Sequence, residues 1–433
     1  MDTTHPPATA LSPLERARHV RRQLPPQGLF AGRQWRIATG AFPLLEGHVR
    51  LLERLGETLH RFTQACNLLY RHSLEGKEPG WIAELADRGK PADLLGHARH
   101  PRVKGQVAPV IRPDLVLLED GFALTEIDSV PGGIGLTQWL NTTYAGLGEP
   151  VLGGADGMRA GFRRVFPEGD VVISEEAADY RPEMEYLVGA HHVKRAEDYA
   201  CQPGTTLYRF FECFDWEALG GIRASYDPAT VKMVPPLKPQ LEEKLWLALF
   251  WNAHLQDFWR RHVSERGVKL LREVIPYSWV VDPAPLPPQA VLPRLEAPGW
   301  DALKDHGQKR RDWILKLSGF HENAWGARSV KVGSDLSTPD WADALDEALG
   351  SFRTHPYIMQ EFKKGALFEQ DYVDPEVDPD AAVTLRGRAR VSPYYYVHEE
   401  KVTLGGVLVT LCPADKKLLH GMRDAVISPA KAA

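Results

Sequence analysis

The spacing of apolar residues changes period several times along the chain, and these changes divide it. Between positions 43 and 72, Leu45, Val49, Leu52, Leu55, Leu59, Phe62 and Leu69 recur close to every 3.6 residues. That pattern predicts one long amphipathic packing helix, with a break near Gly56. From 111 to 135 the sequence reads IRPDLVLLEDGFALTEIDSVPGGIG. Two mainly apolar runs, 114–118 and 122–127, flank Glu119-Asp120-Gly121 and predict a hairpin with a three-residue loop ending in glycine. A strand at 170–174, a helix beginning at Tyr180 and a strand at 206–212 predict a small α/β lobe with parallel pairing. Residues 235–261 read as a loop followed by one strong helix, with Leu241, Leu245, Leu249, Leu255 and Trp259 along one side. The last third alternates strands at 313–319, 330–332, 357–362, 383–397 and 405–411 with a helix at 341–352. The expected organisation is a disordered arm over 1–28 with at most one short helical stretch near Leu14 to Leu24, a helical segment over 29–107, the hairpin region over 108–150, an α/β and helical lobe over 151–300 and a strand-rich part over 301–433.

The hairpin carries the chemistry. With Leu118 opposite Phe122, Val116 faces Leu124, Asp114 faces Glu126 and Arg112 faces Asp128, all on one face because side chains alternate along a strand. Three carboxylates and a guanidinium then share the open end. Opposed acids repel unless a cation lies between them. A divalent metal bound to phosphate oxygens answers that need; a solvated sheet edge is the plainer alternative.

Other residues make similar demands. Lys316 interrupts an apolar strand, where a lysine is costly unless paired, and a phosphate would pair it. Gly319 and Gly326 bound a loop whose backbone amides can close over phosphates. Lys244 begins a helix, a poor place for a cation unless an anion is near; a solvated lysine beside Glu242 and Glu243 is the alternative. Gln360 and Glu361 end an apolar strand. Arg386, Arg388 and Arg390 alternate on one strand face and call for anions, either acidic side chains or a ligand. The glycines of 131–135 either offer N–H groups to an anion at a helix start or simply turn the chain.

Composition narrows the class. A chain of 433 residues, 43% hydrophobic and 25% charged, is expected to be a globular protein of two or three lobes. Its net charge of -5 carries no basic surplus, so nucleic acid is not an expected partner. No apolar run approaches the roughly 18 residues that span a bilayer and no signal-peptide core is present, so no membrane association and a cytoplasmic location are expected. Cys66, Cys201, Cys213 and Cys412 lack CxxC spacing and read as buried thiols.

Arg112-x-Asp114, followed after the turn by Glu126-x-Asp128 and Pro131, resembles the Arg-x-Asp and Glu-x-Asn signature of the glutathionylspermidine synthase-like branch of the ATP-grasp ligases, with Asp128 where the family usually has Asn. The segment at Lys244 resembles the family's first phosphate lysine, with Glu243 in place of Asn. Lys316 to Ser329 resembles its phosphate flap, with Leu317 in place of proline and a longer loop, and Gln360-Glu361 resembles its adenine hinge. Thr410 stands in a strand that normally ends in a phosphate-binding arginine. The resemblance implies an α+β / α/β protein with a circularly permuted ATP-grasp fold, a small Rossmann-like lobe and added helices. It further implies ATP and magnesium as cofactors, with Asp114, Glu126 and Asp128 as metal ligands, Arg112 as the catalytic residue, and Lys244, Lys316, Gly319, Gly326, Gln360 and Glu361 as ATP-binding residues. The implied activity is ligation of a small-molecule carboxylate to an amine, with phosphorylation of a hydroxyl or a nucleotide-binding scaffold without turnover as alternatives. The identity of the substrates and the oligomeric state are not readable from the residues.

Overall fold

In the computed structural model, which describes residues 11–25, 35–324, 328–421 and 424–433, the 21-residue strand Asp378–His398 is the spine of the largest sheet. Its first half pairs antiparallel with Phe368–Asp374 and its second half with Val110–Leu117, while its other edge carries Lys401–Pro413. The turn into Lys401–Pro413 places Glu399 and Glu400 at φ 48° and 61°, the mirror-image turn that suits the twist of a tight hairpin. Val426–Ala432 follows Lys401–Pro413 in the sheet and pairs parallel with Arg36–Ala38, which returns to Phe368–Asp374. The pairing thus closes on itself, and Phe122–Asp128 extends it beyond Val110–Leu117.

By contacts the chain forms two compact units. The first comprises residues up to His60 with Ala108–Pro236 and Lys364–Ala433, the second Arg61–Val107 with Leu237–Lys363. The first unit also holds the expected parallel lobe, a sheet ordered Val193–Arg195, Asp170–Ile173, Thr206–Phe210, Lys232–Val234. Val171, Val172 and Ile173 are all buried, as a parallel strand covered on both faces requires. The second unit is built on an antiparallel sheet ordered Lys331–Val332, Trp313–Leu317, Tyr357–Glu361, Ser278–Val280. Leu315, Leu317, Tyr357, Met359 and Trp279 share one core with Trp341, Leu345 and Ala348 of the helix Thr338–Gly350. Both units are mixed α and β, as the sequence predicts.

Several local expectations change. The helix over Glu46–Leu74 runs 29 residues without a break at Gly56, and Leu52, Leu55, Leu59, Phe62 and Leu69 are buried along it. Gly56 is there for another reason. A Cβ at this position would lie 2.4 Å from the Tyr395 ring, so the glycine lets the helix approach the spine strand. The one short helical stretch expected within the arm, near Leu14 to Leu24, is the helix Pro13–Arg22 with a Ser12–Glu15 capping box, and it buries Ala17 and Val20 rather than lying loose. The single helix expected before Arg261 is instead Leu245–Trp251, a short 3-10 turn and Gln256–Val263. Asn252 breaks it: the residue is extended and its Oδ1 accepts the His254 N–H at 2.9 Å, the local competition that makes asparagine a cap. All four cysteines are free and buried. No helix among the described residues is long and apolar enough to cross a membrane.

The Gly56 packing makes a prediction opposite to helix propensity. Gly56→Ala should raise intrinsic helix stability by about 1 kcal/mol yet destabilise the protein by about 1–2 kcal/mol through overpacking against Tyr395. Urea titration of the two proteins measures the sign, and a stabilised variant would refute the close-approach account.

Candidate active site

The open end of the hairpin has the expected register: Asp114 faces Glu126 and Arg112 faces Asp128. Toward the tip the expected pairing is off by one. Leu115 faces Leu124, Val116 faces Ala123 and Leu117 faces Phe122, and the Leu118 N–H donates to Gly121 O at 2.9 Å. A β-bulge absorbs the difference, leaving Thr125 as the extra residue. The Thr125 hydroxyl donates to the Asp114 carbonyl at 3.1 Å, so the bulge is tied at the acid it serves.

The acids are met by guanidinium groups. Arg112 Nη2 donates to Asp128 Oδ2 at 2.9 Å and lies with its Nε 3.4 Å from Asp114 Oδ1. Arg390 Nη1 approaches Asp114 Oδ2 at 3.3 Å, and the Ser392 hydroxyl donates to Asp114 Oδ1 at 2.8 Å. Arg112 also donates to Gly132 O, which the Tyr394 hydroxyl bonds at 2.7 Å. Burial pushes the Asp128 carboxyl above its usual range; Arg112 offsets part of this and Glu126 adds to it. Arg112 is held charged by Asp114 and Asp128 against its burial. Carboxylate oxygens suit magnesium by donor type. Yet among the described residues no group of three or more His, Cys, Asp and Glu side chains is set out to hold a metal ion. The three acids share a face, but Asp114 and Asp128 are spent on arginine.

Of the three alternating arginines, Arg390 joins the acids, whereas Arg388 donates through Nε to Gly365 O at 3.0 Å and Arg386 lies opposite Glu369. Arg390 and Ser392 are the residues that sequence reading did not attach to the hairpin. Their i, i+2 spacing on one strand was the available signal.

The glycines of 131–135 turn out to be packing points. The helix Ile134–Gly146 begins there, but its Leu136 N–H donates to the buried Glu183 carboxylate at 3.1 Å. A Cβ at Gly135 would meet Glu183 O at 2.4 Å, and one at Gly132 the Tyr180 ring at 2.2 Å. A side chain of the protein thus occupies the helix start where a phosphate was one alternative.

The second unit gathers the lysines. Lys316 and Gln360 share the face opposite the apolar core; Lys316 Nζ donates to Gln360 Oε1 at 2.8 Å, and Gln360 Nε2 to Ser278 Oγ at 3.0 Å. Glu361 points the other way and pairs with Arg294 at 3.1 Å and Lys363 at 2.9 Å. The backbone N–H groups of Glu361 and Phe362 donate to Tyr277 O and Asp312 O. Glu243 forms a bridge with Gly319, where a Cβ would lie 2.3 Å from Glu242 O; packing therefore requires glycine at Gly319. Lys244 Nζ donates to Ala324 O at 3.0 Å, which brings this lysine to the loop. Gly326 lies outside the described residues.

Sequence reading gave Lys90 no role. Its Nζ lies 2.5 Å from Glu243 Oε1, with only 1% and 2% of the two side chains exposed. The Ser318 hydroxyl donates to the other Glu243 oxygen, and Ser318 Oγ accepts the Leu245 N–H at 2.8 Å. This buried network fixes the start of the loop to the segment bearing Lys244. Nothing in the Gly89-Lys90-Pro91 context signals it.

With this geometry in hand, comparison with known proteins is informative at the level of fold. No protein-family model matches the chain, and no curated protein matches its sequence. Among solved structures, a glutathione synthetase-like effector from Globodera pallida, in its apo form, matches with a TM-score of 0.56 at 10% identity, covering 99% of this chain and 98% of that one. The chain shares that protein's fold. A candidate gamma-glutamylcysteine synthetase from Methylobacillus flagellatus gives a TM-score of 0.36 at 10% identity, over 90% of this chain and 88% of that one.

Two measurements check this description. Lys90→Met or Glu243→Gln alone should destabilise the protein by about 3–5 kcal/mol, because each leaves a buried charge or donor unpaired. The double variant should recover part of that loss, and additive losses in a denaturant double-mutant cycle would mean that the pair does not interact. In the parallel lobe, burial pushes Asp215 up to about 6, while Ser174 Oγ and the Glu212 N–H donate to its carboxylate. The unfolded carboxyl titrates near about 4, so the folded state binds the proton more tightly. Its stabilisation is full below about pH 4 and is lost as pH rises through 6. Asp215→Asn should remove this slope, of the order of 2 kcal/mol, and parallel pH-stability curves for the two proteins would contradict it.

Proposed function

We propose that the chain is an ATP-dependent ligase that joins a small-molecule carboxylate to an amine through an acyl-phosphate, releasing ADP and phosphate. The observation that carries this reading is the hairpin register, which sets Asp114 opposite Glu126 and Arg112 opposite Asp128. The shared fold with a protein named as glutathione synthetase-like supports it, as does the resemblance of the same residues to the glutathionylspermidine synthase-like ATP-grasp signature.

In this reading Asp114, Glu126 and Asp128 are the residues that would hold magnesium, which would supply neutralisation of phosphate charge. A circularly permuted ATP-grasp arrangement accounts for the hairpin preceding the lysines in the chain. The substrate carboxylate attacks the γ-phosphorus in line, and the amine then adds to the acyl carbon and expels phosphate. Arg112 stabilises charge on the phosphoryl oxygens once it is released from Asp128. Lys244 and Lys316 bind phosphate oxygens, the loop containing Gly319 and Gly326 covers them, and the strand end at Gln360 and Glu361 lines the base. Catalysis rests on position and charge neutralisation.

A nucleotide-binding scaffold without turnover is the second reading. It is favoured by the engagement of Asp114 and Asp128 with arginine and by the internal hydrogen bonds of the Glu361 and Phe362 amides.

Millimolar magnesium-ATP should raise the melting temperature, by an amount equivalent to roughly 2.7 kcal/mol at a hundredfold excess over the dissociation constant. Lys316→Met should abolish the shift and Glu126→Ala its magnesium dependence. ADP release should then require both a carboxylic acid and an amine from a substrate panel. Binding without ADP release selects the scaffold, whereas no shift in the wild type removes the nucleotide reading altogether.

A further inference from the structure

On the sheet of the second unit, one carboxylate sits among aromatic rings at the rim of the face that carries Met359 and Trp279, opposite the face of Lys316 and Gln360. Glu361 pairs across the strands with Trp313, and on its other side its N–H donates to Tyr277 O at 2.9 Å. The rings of Tyr277 and Trp251 have centroids 4.8 Å apart and planes inclined at 35°. The Trp251 indole N–H donates to Pro276 O at 3.1 Å, which fixes that ring. The cation over these rings is the chain's own. Arg294 Cζ stands 4.3 Å from the Tyr277 centroid and 5.2 Å from that of Trp251, and Arg294 Nη1 donates to Glu361 Oε1 at 3.1 Å. Two aromatic faces and a carboxylate around one cation are the parts of a cation-recognition site.

Folding does not require Arg294 in that place. The turn that carries it is anchored by other groups: Leu292 and Ala297 are buried, the Leu292 N–H donates to Ala297 O at 2.8 Å, and Trp279 Nε1 donates to Pro293 O at 2.9 Å. Arg294 itself has φ 63°, in the left-handed region that costs a non-glycine residue free energy. Its side chain is 52% exposed, and an ion pair so open to water contributes little to stability. Glu361 also holds Lys363 at 2.9 Å, so the carboxylate keeps a partner when Arg294 leaves. We propose that Trp251, Tyr277 and Glu361 form a binding site for the guanidinium group of a ligand, and that Arg294 occupies it until such a group displaces it. The resident side chain shows which head group fits. The site uses the Glu361 side chain on the core side of the sheet and does not depend on the nucleotide reading.

The test follows the Trp251 indole N–H of the full-length chain by heteronuclear NMR, its resonance assigned with Trp251→Phe, during titration with methylguanidinium chloride and with the blocked peptide acetyl-Gly-Arg-Gly-amide. Arg294→Gly empties the site and keeps the turn, because glycine accepts this φ. The variant should melt close to the wild type and bind methylguanidinium saturably, about tenfold more tightly than the wild type, whose own arginine competes. Adding Glu361→Gln should abolish that gain, and Arg294→Lys, which retains a cation over the rings, should stay near the wild type. Tighter binding of the peptide than of methylguanidinium supports the site and assigns the group to a peptide arginine; equal affinities support it and assign the group to a small molecule. No saturable shift in Arg294→Gly with either probe overturns the site, and equal affinities in that variant and the wild type overturn the displacement. A large loss of stability in Arg294→Gly with no gain in binding makes Arg294 a structural residue and overturns both.

Discussion

Everything on the acidic face depends on the two-point grip of Arg112 on Asp114 and Asp128. The backbone pairing forces Asp114 against Glu126 and sets Asp128 two residues along on the same face, a concentration of like charge that a sheet cannot carry unaided. The compensation is built from the surrounding strands. Tyr394 fixes Gly132 O, Gly132 O helps to fix Arg112, and Ser392 and Arg390 of the same spine strand close over Asp114. The bulge at Thr125 keeps the acids in this register while the tip of the hairpin follows another. The close approach of the helix Glu46–Leu74 at Gly56 supports the spine strand from behind the chemistry.

A second principle recurs in both units: a glycine cluster that could cradle phosphate is also what close packing looks like. Gly132 and Gly135 admit the segment Tyr180–Glu183, whose carboxylate takes the adjoining helix start, and Gly319 admits Glu242 and Glu243. The sequence contains the same residues under either account. What separates them is whether another part of the chain fills the space, which is a tertiary fact.

Most of the elements were legible, because period and length decide them: the long helix, the parallel lobe, the hairpin, the flap strands and the strand ending at Glu361 are all present. The register at the open end of the hairpin was legible in its outcome only, because the bulge at Thr125 offsets a one-residue difference at the tip. Its tip was not, because a bulge leaves no mark in an alternating pattern when Thr125 is as acceptable in a strand as its neighbours. The break at Asn252 had a local signal in the capping preference of asparagine. Lys90 had none. Its partner lies 153 residues away along the chain, and a lysine in a Gly- and Pro-rich stretch reads as solvated until the fold buries it. Glu361 shows the limit in another way: adjacent strand residues face opposite sides, so a Gln-Glu pair taken as one feature divides between Lys316 on one face and Arg294 on the other.

The residues that differ from the signature they resemble share a sign. Asp128 and Glu243 stand where asparagines are usual, and Thr410 lies in a strand that normally ends in an arginine; each makes its surroundings more negative. In the structure each has a cation beside it: Arg112 on Asp128, Lys90 on Glu243, and Arg390 directly across the strand from Thr410. Stability alone does not account for this. A buried pair such as Lys90 and Glu243 contributes little that well-packed apolar residues would not, since desolvation offsets most of the attraction. A chain that kept only its fold could fill these positions with leucine and methionine. Once such a pair is built, each acid depends on its cation, because removing either partner leaves a buried charge uncompensated.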